Sequence, residues 1–395
     1  MKAIRAFWGK HWRSVTVVSG IILVVGWLLL FRLGSLTGNL SSSELQRQAF
    51  DSSWHHLATN PLFAPYTVLQ WLYLTLFGHG VLVTRLASVT FGVLSLVAFT
   101  YILRRWYGVR TAAFGSVVFV FSTWLLHAGR LGTVDAVYLW AILALLATHI
   151  AWERREQSPV AAFLSLALLA VLLYVPGMVW LELLLLGIAP RHLVAGWQSL
   201  KAWWLRALLV LMLAIIVAPL VAACIAQPSL AQLWLGLPTS YGTPAAMLHR
   251  LLNSLSYFIW KGPANPAAWL DHLPVLNAFG VIMAVAGVLF YGKHFAAPRT
   301  RLLLGMFIVG AIFFALGGPV SFGILVPIVY LVVAGGIGFV LHEWLRVFPH
   351  NPLARGIGFG LIGLAIILSC AYNLRAYFVA WPHNSQTVAT FDSRK

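Results

Sequence analysis

The chain alternates long apolar runs with short polar turns, the pattern of a protein that crosses a membrane repeatedly. The first run, about Ser14 to Phe31, follows a basic start, MKAIRAFWGKHWR. Others lie near 81–103, 111–127, 134–152, 159–173, 175–189, 204–226, 273–291, 301–316, 320–341 and 355–374. About 20 apolar residues cross the hydrocarbon core as a helix, whereas an outer-membrane barrel shows alternating segments of about 10 residues. The pattern therefore predicts an all-α polytopic transmembrane bundle of about eleven helices. The basic start resembles a signal peptide, but its apolar core is too long and no A-x-A site follows, so a retained first helix is expected. The runs 159–173 and 175–189, joined by Tyr174 to Gly177, predict a tight hairpin with its turn near the outer face. Glu182 then lies inside the membrane on the second arm, where a carboxylate is a functional candidate or a hydrogen-bonding group between helices.

Two connections exceed the length of turns: outer loop one, 34–80, and outer loop two, 227–272. Long connections in compact proteins are usually functional or disordered, and function is expected in these two. Residues 1–381 read as a single transmembrane domain and 382–395 as a polar C-terminal tail. No internal repeat is visible.

Composition agrees with this reading. With 61% hydrophobic and 9% charged residues and a mean hydropathy of +0.88, a water-soluble domain is excluded, since such domains carry about 25% charged residues. The net charge of +17 would suggest nucleic acid in a soluble protein. Here, 17 of the 26 basic residues fall on the side of the N-terminus, so the charge is mostly a topology signal and no nucleic-acid partner is expected. The positive-inside rule predicts N-in and C-out, with Ser41 and Thr239 outside. Cys224 and Cys370 fall in apolar segments and read as membrane-buried residues rather than a disulfide or metal site.

The chain has nine acidic residues, and the outer loops concentrate several. Ser41 to Glu44 carries S-x-x-E, the capping-box pattern of a helix start. Phe50, Trp54 and Leu57 follow at i, i+4 and i+7, which predicts a helix lying in the interface with Asp51, His55 and His56 interspersed. Adjacent histidines on a helix point about 100° apart, so metal ligation by His55 and His56 is not expected. Pro65 to Phe77 suits a re-entrant or interfacial helix. Asp135 and Arg130 lie in the turn between the third and fourth runs. An acid beside a base at the mouth of a bundle, opposite a loop with another acid, suits a hydroxyl nucleophile and a phosphate leaving group.

The order of several short motifs then resembles a known family. An acidic residue just after the first helix is followed by N-P-L-F-A-P-Y at 60–66, L-F-G at 76–78, R-L-A-S at 85–88, Y-I-L-R-R-W-Y-G at 101–108, and H-A-G-R ahead of Asp135. Trp260-Lys261-Gly262, Leu273 to Leu276, Pro327 and Tyr377-Phe378 continue it. This resembles the GT-C superfamily of polytopic glycosyltransferases, in particular bacterial relatives of protein O-mannosyltransferases and aminoarabinose transferases. Many members carry an Asp-Glu or Asp-Asp pair where this chain has Ser43-Glu44, which leaves Glu44 as the matching carboxylate.

The resemblance implies transfer of a sugar from a polyprenyl-phosphate-linked donor to a hydroxyl acceptor (protein, lipid or glycan), usually with inversion, at the outer face of the cytoplasmic membrane. Glu44, with Asp135 and Asp51, is the expected catalytic set, and Arg130, Lys261 and Arg85 are expected at the donor phosphate. No D-x-D occurs in the chain, which favours a lipid-monophosphate donor and no cofactor or obligatory metal. The alternatives are a lipid or glycolipid transporter, for which repeats and charged mid-membrane helices are the usual signs, and an inactive GT-C-like scaffold.

Overall fold

A computed structural model describes residues 20–153, 159–188, 190, 197, 198, 200 and 202–392. Among them every regular element is helical. In chain order these are α1 Gly20–Leu30, α2 Ser42–Asp51, α3 Trp54–Thr59, α4 Ala64–Phe77, α5 Val81–Tyr107, α6 Val109–Val120, α7 Thr123–Ala128, α8 Asp135–Glu153, α9 Pro159–Leu172 and α10 Met178–Ile188. They continue with α11 Trp203–Ala226, α12 Pro228–Trp234, α13 Pro244–Ile259, α14 Ala278–Lys293, α15 Pro298–Leu316, α16 Val326–Val347, α17 Pro352–Arg375 and α18 Ser385–Phe391.

Among the described residues, six segments are long and apolar enough to cross a membrane: Val81–Tyr107, Asp135–Trp152, Trp203–Ala226, Pro298–Leu316, Phe322–Val347 and Pro352–His383. Shorter apolar helices, α1, α6, α9, α10 and α14, occupy the other predicted runs. Helix starts follow local chemistry. Ser122, Thr243, Asn277 and Asn351 accept backbone N–H bonds at the beginnings of α7, α13, α14 and α17, and proline stands in the first turn of α13, α15 and α17, where its missing N–H costs nothing.

The core lies along α5, α8 and α16. The apolar stretch of α8 is 78% buried inside the protein and that of Phe322–Val347 72%, against 17% for α11, so α8 and α16 are central and α11 faces outward. Where α14 crosses α16, glycine lets the backbones touch: a Cβ on Gly336 would stand 1.9 Å from the Met283 carbonyl oxygen, and one on Gly287 2.1 Å from that of Val332.

The two long loops are folded and share one end of the bundle. The Phe63 N–H donates to the Tyr174 carbonyl and the Gly177 N–H to that of Trp234, so the predicted hairpin turn is clamped between both loops. The expected interfacial helix of loop one is interrupted at Ser52–Ser53. Ser52 spends its hydroxyl on the Ala49 carbonyl, and Phe50 and Trp54 fall on separate helices. Phe50 stacks on His56 at 5.1 Å and Trp54 packs on Trp71 at 5.0 Å. The 65–77 run forms α4, which lies on α5 through Tyr66 to Ser88 (3.0 Å) and Tyr73 to Thr90 (2.9 Å) hydroxyl pairs. The segment read as a polar tail contains α18, whose Phe391 is buried.

Candidate active site

The site is assembled around the turn from Gly129 to Val134, between α7 and α8. Behind it stands Glu44, with no exposed surface. Its Oε1 accepts the Gly132 N–H at 2.8 Å and Arg85 Nε at 2.8 Å. Its Oε2 accepts the Ser41 N–H at 2.9 Å, the Ser41 hydroxyl at 3.1 Å and Arg85 Nη2 at 3.0 Å. The capping box read from S-x-x-E is present. Burial alone would raise the pKa of this carboxyl; the Arg85 guanidinium and the N–H groups of Gly132 and Ser41 outweigh it and hold the group below its ordinary value. Glu44 thus ties the start of α2 to α5 and to the turn. The turn fits tightly there: a Cβ on Gly132 would stand 3.0 Å from Thr84 Cγ2. The Ser88 hydroxyl adds a bond to the Thr133 carbonyl at 3.2 Å.

Arg85 spends its remaining donors on the Leu33 carbonyl at 2.8 Å, the Thr37 hydroxyl at 3.0 Å and the Asn39 carbonyl at 3.2 Å. Arg130 is 1% exposed. It donates to the Leu28 and Phe31 carbonyls and lies over the rings of Tyr377 and Phe378, at 5.1 and 4.7 Å. Arg130 therefore braces the end of α1, and Arg85 the segment that follows it. Asp51 is buried and accepts Arg47 Nε at 2.7 Å, while Arg47 also reaches the Thr67 hydroxyl. Burial raises the pKa of Asp51, with Arg47 opposing it.

On the other side of the turn is a cavity of about 340 Å³ lined by Asp135, Thr133, Trp124, His127, Trp269 and Ser321, with Tyr257, Asn265, Phe314 and Phe322 among its other walls. Asp135 is half-buried. Its Oδ1 accepts the Ser321 hydroxyl at 2.5 Å and its Oδ2 the Thr133 hydroxyl at 3.3 Å, and each carboxylate oxygen keeps a second lone pair. Loop two supplies the lid, Pro263 to Trp269. Trp269 Nε1 donates to the Leu273 carbonyl at 2.6 Å. The Trp381 indole and the Thr387 hydroxyl both donate to the Pro266 carbonyl, at 3.2 and 3.3 Å.

Lys261 is exposed, two residues before the lid begins. Arg250, on α13, reaches the Leu316 carbonyl at 3.4 Å with one nitrogen. Among the described residues no three His, Cys, Asp or Glu side chains gather in a group that could hold a metal ion.

A second space, an apolar groove of about 570 Å³, runs beside the cavity. It follows α14 from Val281 to Gly292 and is walled by Phe258 and Ile259 of α13, Phe307 of α15 and Val332 of α16. Phe258 packs on Phe322, ring centroids 4.9 Å apart, and this pair separates groove from cavity.

Of the residues picked from sequence, the fold thus joins Glu44 to Arg85 behind the turn and places Asp135 in front of it, on the cavity wall, while Lys261 is exposed and not part of that wall. Asp51 stands in a separate cluster with Arg47, and Arg130 belongs to the turn itself but directs its guanidinium to the Leu28 and Phe31 carbonyls and the rings of Tyr377 and Phe378. Trp124, Trp269, Ser321 and Arg250 were not picked. Ser321 is 186 residues from the carboxylate it serves, and no local pattern announces such a pair. His127 stands in the H-A-G-R motif ahead of Asp135, but the motif assigns it no role of its own.

No family model matches the chain, and no curated protein does. Solved structures do. ArnT from Cupriavidus metallidurans in the apo state aligns with a TM-score of 0.53 at 15% identity, over 96% of this chain and 77% of that one. The same protein bound to undecaprenyl phosphate aligns at 0.54 and 18% identity, over 95% and 76%. The oligosaccharyltransferase of Archaeoglobus fulgidus, in the apo form, aligns at 0.51 and 13% identity, and the match spans 96% of this chain but 56% of that one. This chain therefore shares the fold of ArnT and of the archaeal oligosaccharyltransferase.

Proposed function

We propose that the chain is a GT-C-type glycosyltransferase that moves a sugar from a polyprenyl-phosphate-linked donor to a hydroxyl acceptor, working at the outer face of the cytoplasmic membrane. The observation that carries this reading is Asp135, a carboxylate with free lone pairs, opening into an aromatic cavity that lies beside an apolar groove. The solved ArnT bound to undecaprenyl phosphate shares the fold and supports a lipid-linked donor.

In this reading Asp135 takes the proton from the acceptor hydroxyl as its oxygen attacks the anomeric carbon. The bond from that carbon to the phosphate oxygen breaks, and the polyprenyl phosphate leaves with the electron pair, which inverts the anomeric centre. The Ser321 and Thr133 hydroxyls hold the carboxylate in place. Glu44 has every favourable position around its oxygens filled, so it serves as a positioning residue for the turn. Lys261 and Arg250 are assigned to the leaving phosphate, because Arg85 is engaged by Glu44, the Thr37 hydroxyl and two backbone carbonyls, and Arg130 has turned both terminal nitrogens to the Leu28 and Phe31 carbonyls, leaving only its buried Nε unpartnered; fixed cations there stabilise the charge that gathers on the leaving group. The prenyl tail occupies the groove along α14.

The test supplies purified protein with synthetic polyprenyl-phosphate sugars and a membrane extract as acceptor, and measures release of polyprenyl phosphate. Asp135→Asn is expected to lower turnover by roughly 10²-fold or more, the usual scale for removing a general base, with unchanged melting temperature. An unimpaired Asp135→Asn removes Asp135 from the chemistry. Donor left unconsumed, together with lipid movement between leaflets of reconstituted vesicles, transfers the assignment to a flippase.

A further inference from the structure

Two residues of the cavity wall bring polar groups with nothing to bind. Trp124 Nε1 and both ring nitrogens of His127 are buried and have no hydrogen-bond partner, although both residues line the cavity. Leaving such a group unpaired in a folded protein forfeits its hydration without return, and an unpaired group facing a cavity with other polar atoms is a group for a ligand.

The imidazole is held by rings on three sides: Trp269 at 5.2 Å, Tyr377 at 4.7 Å and Trp381 at 4.6 Å, the last two edge-on. Tyr377 sits where the backbone passes through a single π-helical stretch, Ala376–Ala380, a distortion frequent at functional sites. Trp124 is wedged between Trp269 and Phe322, at 5.0 and 5.1 Å, with its N–H near the Asp135 corner. A Cβ built on Gly323 would meet Ser321 Oγ at 3.5 Å, the Asp135 carbonyl oxygen at 3.6 Å and Trp124 Nε1 at 3.8 Å.

The cavity thus presents an indole donor and a carboxylate together, an imidazole elsewhere on the wall, and flat aromatic faces. At about 340 Å³ it stands at the small end of the ~300–1,000 Å³ range of ligand sites. We infer that Trp124 and His127 bind the ring hydroxyls of one monosaccharide unit, a polyhydroxylated sugar that carries no acidic group. The inference rests on reading the cavity as the site of the donor's sugar.

Neutral imidazole offers one donor and one acceptor, the pair a hydroxyl can answer on both sides. A carboxylated sugar is excluded by charge: Asp135 is the one acidic side chain among the lining residues and no Lys or Arg lines the cavity, so a second carboxylate would be buried uncompensated.

The experiment measures saturation-transfer NMR on the full chain in detergent with methyl glycosides of glucose, mannose and arabinose, and with methyl glucuronide. At least one neutral glycoside is expected to bind, and the glucuronide at least tenfold more weakly. His127→Phe and Trp124→Phe should each weaken the neutral ligand about tenfold or more. His127→Gln, which keeps a donor and an acceptor, should retain more affinity than His127→Phe. Thermal unfolding checks each variant, and Trp124→Phe carries the test should His127→Phe fail to fold. Equal binding by the folded phenylalanine variants, tighter binding of the glucuronide, or no neutral glycoside bound overturns the inference. Donor turnover is assayed separately. Sugar binding that depends on His127 while no polyprenyl-linked donor is consumed upholds the subsite and refutes the transferase. Turnover that His127→Phe and Trp124→Phe leave intact does the reverse.

Discussion

Glu44 and Arg85 form an ion pair with both partners out of water, 0% and 2% exposed. Removing one partner of such a pair leaves an uncompensated buried charge and typically costs about 3–5 kcal/mol, whereas replacing both with apolar residues costs far less. Arg85→Ala is therefore expected to lose about that much in unfolding measured in detergent, and Glu44→Leu combined with Arg85→Met to lose less than Arg85→Ala alone. A double variant as unstable as the single one would show that the pair does more than satisfy itself. The acids also separate by pH. Glu44 has a folded pKa below its ordinary 4.5, so the native state binds its proton less well than the unfolded chain. Its stabilisation is complete above 4.5 and is lost as pH falls through the lower folded value. Asp51 has a folded pKa above its ordinary 3.8, so its contribution is greatest below 3.8 and declines as pH rises through the folded value. Melting temperatures against pH should show the deficit of Glu44→Gln shrinking on acidification below 4.5, and the stability of Asp51→Asn relative to wild type improving as pH rises above 3.8. Parallel curves would contradict both. At this scale the sequence was informative about Glu44, since S-x-x-E is a local signal. The saturation of its oxygens by Arg85 and Gly132 was not legible, because those partners lie 41 and 88 residues away.

Among the elements, α18 changes the picture most. Its Phe391 is 4% exposed, lies under the Arg85 guanidinium at 6.0 Å, and returns its carbonyl to the Asn39 side chain at 3.3 Å. With the bonds from Trp381 and Thr387 to Pro266, it straps loop one to the lid in loop two. Phe391→Ala removes a fully packed ring, a change that costs about 3–5 kcal/mol. The expected result is a lower melting temperature and faster hydrogen exchange at 263–270. Unaltered exchange there would leave α18 as a surface element without hold on the lid. A polar stretch of seven residues gives no periodicity from which such docking could be read. The apolar run 65–77, by contrast, was legible as the helix α4, since its length suits neither a turn nor a span.

For the whole molecule, both long loops, the hairpin turn at 173–177 and the C-terminal strap meet at one end of the bundle. The positive-inside rule predicts that this end lies outside. Single cysteines at Ser43 and Thr239, in a background with Cys224 and Cys370 replaced by serine, should react with an impermeant thiol reagent in intact cells. Ser43 and Thr239 are both exposed, whereas Ser41 is 2% exposed and spends its hydroxyl on Glu44. Protection of either cysteine would invert or shift a span.

The sequence by itself determined the membrane class, the positions of the long apolar helices, the presence of two long connections and the capping box. These follow from hydrophobic length, charge counts and spacings of three or four residues, which the chain carries locally. Only the tertiary structure decided which carboxylate is open and which is consumed, that Arg85 and Arg130 brace the interior, and that Trp124, His127, Trp269 and Ser321 share a wall with Asp135. Those facts depend on side chains brought together from distant helices, and burial and hydrogen-bond saturation exist only once the helices have packed.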